Sequence, residues 1–245
     1  MSEPYLSIVI PAYNEETRLP PTLDKLFAYV PALGKPYEIL VVDDGSRDKT
    51  VEVVRGLQAL HPELVVLSDG INRGRTGAVK RGMAAARGTF ILETDADGSV
   101  AEEAIGRFMQ ALEADPALSA VFGSREMAGA RKAVDQPLLR VFLGYGFIYL
   151  TRLVFWMWRT TDFALGFKMF RRDAVQDIFA RQFEPHVVAE AELVYVAKQR
   201  GHACIELPVV WTDNADSRIR PLREVFRSLI GLVRIRVRGW LGKYH

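Results

Sequence analysis

The sequence predicts an α/β fold: a mostly parallel sheet with helices on both faces, followed by a C-terminal amphipathic helical tail. Three observations predict it. Short apolar runs alternate with helix-like stretches through the first half of the chain. Several of those runs end in acidic or polar clusters. Charge also divides along the chain: from Arg218 to His245 eight basic residues stand against Glu224. That is a local +7 within a 245-residue total of +2, which leaves −5 for the remainder.

Leu6-Ser7-Ile8-Val9-Ile10 is β-rich and is expected to stop at Pro11, and Asn14-Glu15-Glu16 leads into a helix over Leu19 to Tyr29. Tyr37 to Val42 is a second, nearly continuous apolar strand. It ends in Asp43-Asp44-Gly45-Ser46, where Ser46 or Asp48 can cap a helix from about Thr50 to Leu60. Leu64 to Leu67 is a third strand, and Gly77 to Arg87 a helix of small residues. Thr89 to Glu93 is a fourth strand, closed by Thr94-Asp95-Ala96-Asp97-Gly98. Ala101 to Ala114 is helical again, and Ala120 to Ser124 strand-like. This spacing calls for right-handed βαβ units. Ligands in such sheets bind outside the carboxyl ends of the strands. Asn14-Glu15, Asp43-Asp44 and Asp95-Ala96-Asp97 are therefore expected to converge on one crevice.

Composition removes several classes. A hydrophobic content of 49% excludes a disordered or collagen-like chain. One cysteine, Cys204, excludes a disulfide framework and a Cys-rich zinc module. Met1-Ser2-Glu3-Pro4 runs into the first strand without a leader-like pattern, so a cytoplasmic, reducing setting is expected. The longest apolar stretch, Val141 to Trp158, is broken by Arg152, which argues against a membrane span. The four histidines show no metal-ligand spacing, and the Gly-x-Ser-x-Gly, G-x-G-x-x-G and P-loop patterns are absent. Cys204 sits in an apolar run and reads as core.

Two carboxylates one residue apart at the end of a buried strand, Asp95 and Asp97, suit a shared hard cation, Mg²⁺ or Mn²⁺. A cation held this way keeps waters and bridges substrate phosphates. A turn or a solvated cap uses the same residues. Asp43 and Asp44 suit ribose hydroxyls or a base edge, or equally a helix-capping turn. Asn72-Arg73-Gly74-Arg75-Thr76-Gly77 reads as a basic, glycine-bearing loop able to approach a diphosphate, or as a surface turn.

Taken in order, these motifs resemble the family 2 glycosyltransferases of the GT-A fold, and within them the polyprenyl-phosphate sugar transferases. The matching residues are Ile8 through Glu16, Val41 through Ser46, Asn72 through Met83 and Thr94 through Gly98. Gly123-Ser124-Arg125, Gly166-Phe167-Lys168 and Glu190-Ala191-Glu192-Leu193 continue the series. The resemblance implies that Pro11, Ala12, Tyr13 and Glu15 line a nucleotide-base pocket, with Asp43 and Asp44 near base and ribose. It also implies that Arg75 and Lys80 face the donor, and that Asp95 and Asp97 hold the metal on its diphosphate. Arg125, Arg140 and Arg218 are expected at an acceptor phosphate. Three positions depart from the family pattern. Gly74-Arg75-Thr76-Gly77 replaces Gly-Lys-Gly-Gly, and Asp162 to Lys168 lacks polar groups near the acceptor. Ala189-Glu190-Ala191-Glu192-Leu193 stands where Phe-Asp-x-Glu-Leu is usual.

The resemblance implies inverting transfer of a hexose, UDP-glucose being the favoured donor, to a polyprenyl or dolichyl phosphate. A phosphate monoester is already anionic near neutral pH, its second pKa being about 6. It needs cationic positioning, which arginines supply. A hydroxyl acceptor, soluble or glycan, needs a general base instead, and Glu190 and Asp162 are the candidates. A catalytically silent nucleotide-binding or membrane-scaffold protein is the reading from another class.

Residues 1–216 are expected to form the catalytic domain, with 1–115 for the nucleotide sugar and 116–216 for the acceptor. Residues 217–245 form a basic amphipathic segment. That segment and the aromatic stretch from Val141 to Trp158 suit an anionic membrane surface, so a peripheral seat on the inner face of the membrane is expected. A second copy of the chain or a membrane partner protein is a further expected contact. Nucleic acid is not expected, since the body is acidic and carries no binding module.

Overall fold

The computed structural model describes residues 3–132, 138–185, 188–212 and 221–245. The elements run β1 (Leu6–Ala12), α1 (Leu19–Tyr29), β2 (Tyr37–Asp43), α2 (Thr50–Gln58), β3 (Leu64–Leu67), α3 (Gly74–Ala85), β4 (Phe90–Glu93), α4 (Glu103–Ala114) and β5 (Leu118–Ser124). After these come β6 (Arg131–Lys132), α5 (Leu138–Phe155), β7 (Lys168–Arg171), α6 (Arg172–Ala180), α7 (Val188–Gln199), β8 (Ala203–Pro208), β9 (Val210–Trp211) and α8 (Pro221–Trp240). Seven strands form one sheet in the order β3-β2-β1-β4-β7-β5-β8, and β6 and β9 form a separate pair.

Alternation along the strands sorts the helices onto two faces. Leu6, Ile8 and Ile10 of β1 pack with Leu19, Leu23 and Leu26 of α1 and with Ile105, Phe108 and Leu112 of α4. Val9, Leu40 and Val42 point the other way, toward α3, α6, α7 and α8. Helices on both faces are what the βαβ alternation requires.

Pro11 does not end the first strand. β1 continues to Ala12, and Pro11 stands opposite Val42. Val9 O accepts from Thr94 N, whereas Ala12 O accepts from Asp44 N. Odd positions therefore bond toward β4 and even positions toward β2. Pairing with β4 ends at Val9 and Glu93, so the missing N–H of Pro11 falls where no ladder bond is due.

β7 is the one antiparallel member of the large sheet among the described residues, wedged between β4 and β5. Its register sets Lys168 opposite Glu93. On the helical side α7 is buried along its length from Val188 to Ala197, including Glu190 and Glu192. A helix buried all round has no solvent for a charge, so both glutamates must find partners within the protein.

α3 lies unusually close to the sheet at Gly82. A Cβ there would run into Val9 Cγ1 and sit 2.8 Å from Val42 Cγ2. Gly82→Ala is expected to cost about 1–3 kcal/mol of folding stability through overpacking. Urea denaturation of the purified variant checks this, and an unchanged midpoint would contradict the close approach.

Candidate active site

Three adjacent strands end on one edge. β2, β1 and β4 are parallel neighbours, so Asp43-Asp44, Tyr13-Asn14-Glu15 and Asp95-Ala96-Asp97 leave the sheet together, as the crevice expectation requires. Their loops are tied to one another: Asn14 N donates to Ser46 Oγ at 2.9 Å and Arg47 N to Asn14 Oδ1 at 2.8 Å. Asn14 adopts the left-handed conformation, with φ of 56°, which Asn tolerates better than most residues. Pro11 and Ala12 are buried at the strand end, and Tyr13 is 37% exposed beside them. Glu15 is gripped by Arg18 through Nε at 2.7 Å and Nη2 at 2.5 Å, and its own N–H donates to Thr50 Oγ1 at 2.7 Å.

Asp43 and Asp44 are both buried and both employed. Asp43 accepts from Ser46 N at 3.0 Å and from Ser68 Oγ at 2.8 Å. Asp44 Oδ1 accepts from Arg73 N at 2.6 Å. Burial raises the Asp44 carboxyl above its ordinary value, against the pull of the Arg73 and Gly74 N–H groups. Asp44 thus caps α3 from another strand, satisfying its first N–H groups. This is why α3 begins at Gly74 and not at Gly77: Gly74-Arg75-Thr76-Gly77 is a first helical turn rather than a loop.

That first turn aims Arg75 into a cluster of carboxylates. Arg75 Nε and Nη2 donate to Asp95 Oδ1 at 3.1 and 2.7 Å, and Nη1 donates to Glu190 Oε1. Nη2 also lies 3.0 Å from Glu93 Oε1. Lys168 Nζ binds the other Glu190 oxygen and the Leu165 carbonyl. Glu190 is therefore a bridge between two cations. Burial works against ionisation of Glu190, but Lys168 and Arg75 override it and hold the carboxyl below its usual range. Arg75 is 34% exposed, and its partial desolvation opposes the charge, but Asp95, Glu190 and Glu93 overcome it, so the guanidinium is held above its ordinary value. Gly166 packs its backbone onto this cluster: a Cβ there would meet Arg75 and sit 2.8 Å from Asp95 Oδ2.

Glu93 is the uncompensated member. It is fully buried, and neither oxygen receives a hydrogen bond. Burial and the neighbouring Glu190 charge push its carboxyl up to about 8. Neither Glu93 nor Lys168 was singled out by sequence reasoning. Each is a lone charge in an apolar run, and that is the signal that could have found them.

Toward β5, Arg125 and Asp162 are brought together as a fork: Nε to Oδ2 at 2.7 Å, Nη2 to Oδ1 at 3.0 Å. Burial pushes the Asp162 carboxyl up, but the Arg125 charge and hydrogen bonds outweigh it and leave the carboxyl below its ordinary value. Glu206 holds this segment from below, accepting from Thr161 N at 2.8 Å and Asp162 N at 2.9 Å. The Asp95 charge also reaches Arg125, so the two clusters adjoin. Lys80 stands apart from both; it lies further along α3 and donates to the Gln182 carbonyl at 2.9 Å. Arg140 is on α5 with its side chain outside the described residues, and Arg218 lies outside them altogether. Cys204 is part-buried, its thiol pushed up to about 12 by burial, which suits a packing residue.

The donor set fits a metal shared with a substrate. Among the described residues no three His, Cys, Asp or Glu side chains form a cage. Asp95 and Asp97 are both partly exposed on one loop, and Asp97 Oδ1 orders that loop by accepting from Ser99 N at 3.0 Å. Partly exposed carboxylates one residue apart are the donor type that Mg²⁺ or Mn²⁺ uses in phosphate-bridging sites, and here Asp95 Oδ1 already accepts from Arg75, so a cation would share Asp95 with that guanidinium.

A carboxyl raised on folding binds its proton more tightly folded than unfolded. Stability from Glu93 is therefore lost as pH rises from about 4.5 to about 8. Glu93→Gln is expected to flatten that fall when denaturation midpoints are measured across the window. A variant as steeply dependent on pH as the parent would contradict the assignment.

A sequence profile described as Glycosyl transferase family 2 matches residues 7–179. The chain is 35% identical over 245 residues to a dolichyl-phosphate beta-glucosyltransferase of Trichomonas vaginalis, covering 96% of this chain and 72% of that one. To the dolichyl-phosphate beta-glucosyltransferase of Dictyostelium discoideum it is 33% identical, covering 97% and 76%. Among solved structures, a mannosyltransferase from Pyrobaculum calidifontis in complex with GDP-Man and Mn²⁺ superposes with a TM-score of 0.62 at 22% identity, over 94% of this chain and 65% of that one. Glucosyl-3-phosphoglycerate synthase from Mycobacterium tuberculosis, in complex with Mn²⁺, UDP-glucose and phosphoglyceric acid, gives 0.66 at 17% identity, over 95% and 80%. These solved structures share the fold with this chain.

Proposed function

The chain belongs to glycosyl transferase family 2, and on that premise we propose that it transfers glucose from UDP-glucose to dolichyl or another polyprenyl phosphate at a membrane surface, with inversion. The observation that carries the acceptor assignment is the state of the two candidate bases. Asp162 is forked by Arg125, and Glu190 is bridged by Arg75 and Lys168. Both carboxyls are held below their ordinary values, which makes them poorer bases near neutral pH. A hydroxyl acceptor would need one of them free to take a proton. A phosphate monoester needs neither, because it arrives ionised. The relatives named for dolichyl phosphate point the same way.

In this reading the first half of the chain, 1–115, receives the nucleotide sugar at the β1 and β2 ends, and 116–216 receives the acceptor. Asp95 and Asp97 would hold Mg²⁺ or Mn²⁺, which supplies charge neutralisation for the departing diphosphate. Arg125, oriented by Asp162, positions the acceptor phosphate. A phosphate oxygen attacks the anomeric carbon from the face opposite the diphosphate. The carbon–oxygen bond to the nucleotide breaks, and its electron pair leaves on the diphosphate. Glu190 keeps Arg75 and Lys168 fixed at the strand ends while this happens, so no dipole has to reorganise.

The remaining part, 217–245 with α5, is the membrane contact. Along α8 Phe226, Val233 and Trp240 are exposed, interspersed with exposed Arg227 and Arg234. Trp156 and Trp158, just beyond α5, are exposed as well. No helix among the described residues is long and apolar enough to cross a membrane. Large apolar side chains among arginines suit a helix lying in an anionic interface, here the inner, cytoplasmic leaflet.

Two outcomes test this reading. Incubated with Mn²⁺, UDP-glucose and dolichyl phosphate, the protein is expected to form a glucosylated lipid. Asp97→Ala is expected to lose that activity by at least a hundredfold while keeping the parent circular dichroism spectrum; normal turnover at saturating metal contradicts the metal assignment. Val233→Asp combined with Trp240→Asp is expected to cut co-sedimentation with phosphatidylserine vesicles at least tenfold, and equal sedimentation contradicts the membrane contact.

A further inference from the structure

Glu190 and Glu192 are two residues apart on α7, so they point to nearly opposite sides of the helix. Glu190 meets Arg75 and Lys168. Glu192, with no exposure at all, faces the C-terminal part of the chain. Tyr244 is also completely buried, and its hydroxyl donates to Glu192 Oε1 at 2.6 Å. The other oxygen, Oε2, accepts from Phe183 N at 2.8 Å and Glu184 N at 2.6 Å. Glu192 thus holds the 182–184 segment and Tyr244 to α7 at one point. Gln182 closes the arrangement, donating through Nε2 to Ala189 O at 3.0 Å.

Two further contacts clamp α8 onto the same helix. A Cβ at Gly231 would sit 2.7 Å from Val188 Cγ1, and one at Gly239 would run into Tyr195. Glycines inside a helix weaken it. Here they stand two turns apart on one face of α8 and let the backbone close onto α7, again about two turns apart. Arg238 adds an ion pair with buried Glu184 at 2.5 Å. The Tyr244 ring meets Tyr195 edge-on, with centroids 5.7 Å apart.

We infer that Tyr244 is a positioning residue for the transfer reaction: through Glu192 it fixes the rotation of α7, and so the place of the Glu190 bridge between Arg75 and Lys168. The inference rests on reading that bridge as part of the reacting site. Without the Tyr244 hydroxyl, Glu192 Oε1 keeps only Arg238, at 3.7 Å, and a buried carboxylate short of a donor pulls its segment toward water. α7 then gains freedom at the end that carries Glu190.

The test compares Tyr244→Phe with the parent chain by hydrogen exchange and by turnover of UDP-glucose with dolichyl phosphate. Exchange of amides 188–192 is expected to quicken at least tenfold while those of β1 and β2 stay as they were. Turnover at saturating substrates, well below the melting temperature, is expected to fall at least fivefold with UDP affinity within twofold. A purely structural tyrosine would lower the melting temperature and leave turnover and the local exchange pattern alone, and that result overturns the inference. Should Tyr244→Phe fail to fold, Glu192→Gln decides by the same two readouts. Glu190→Gln separates the two claims. If it loses turnover while Tyr244→Phe does not, only the role of Tyr244 falls; if it keeps turnover, the bridge and the role of Tyr244 fall together.

Discussion

The guanidinium of Arg75, set among Glu93, Asp95 and Glu190, is the interaction on which the rest of the site depends. Taking an ion out of water costs several kcal/mol unless partners replace the lost hydration. This cluster does so with two cations, Arg75 and Lys168, against three carboxylates. One negative charge is left over, and Glu93 absorbs the mismatch by keeping its proton up to about pH 8. The electrostatic balance of the site is thus set within the chain, at the end of β4 and the starts of β7, α3 and α7.

Each of those elements is placed for a separate reason. Asp44 at the end of β2 caps α3 and so sets the height at which Arg75 enters. Gly82 lets α3 lie against β1 and β2. The antiparallel β7 delivers Lys168 opposite Glu93. α7, buried throughout its first three turns, carries Glu190 toward Arg75 and Lys168 and Glu192 toward Tyr244. A change at any one of these positions reaches the site through Arg75 or Glu190.

Much of this was legible in the sequence. β1 to β5 and their helices follow from the short apolar runs alternating with helix-like stretches, and the acidic strand ends leave one edge of the sheet as parallel pairing demands. Other features were hidden for physical reasons. β7 is four residues long with a charge at each end, so no periodicity marks it. The start of α3 looked like a loop because Gly74 and Gly77 are poor helix formers, and its cap comes from Asp44, thirty positions upstream. Glu93 and Lys168 could be paired only after the register was known. The basic tail was read by composition alone. The structure uses part of its charge internally: Arg238 neutralises buried Glu184, and Arg236 bonds the Tyr195 hydroxyl at 3.3 Å. Fewer arginines are therefore available to an anionic partner than the local +7 implied.

With Asp162 and Glu190 both committed to cations, we propose that the acceptor supplies its own anion. The most direct measurement gives the protein UDP-glucose and Mn²⁺ with dolichyl phosphate or with dolichol, which differ only in the phosphate, and follows the rate against pH. Transfer to dolichyl phosphate alone, at a rate that levels off above about pH 7 once the phosphate is fully ionised, is the predicted result. Transfer to dolichol at a comparable rate would mean that a protein carboxylate acts as the base, and would contradict the account.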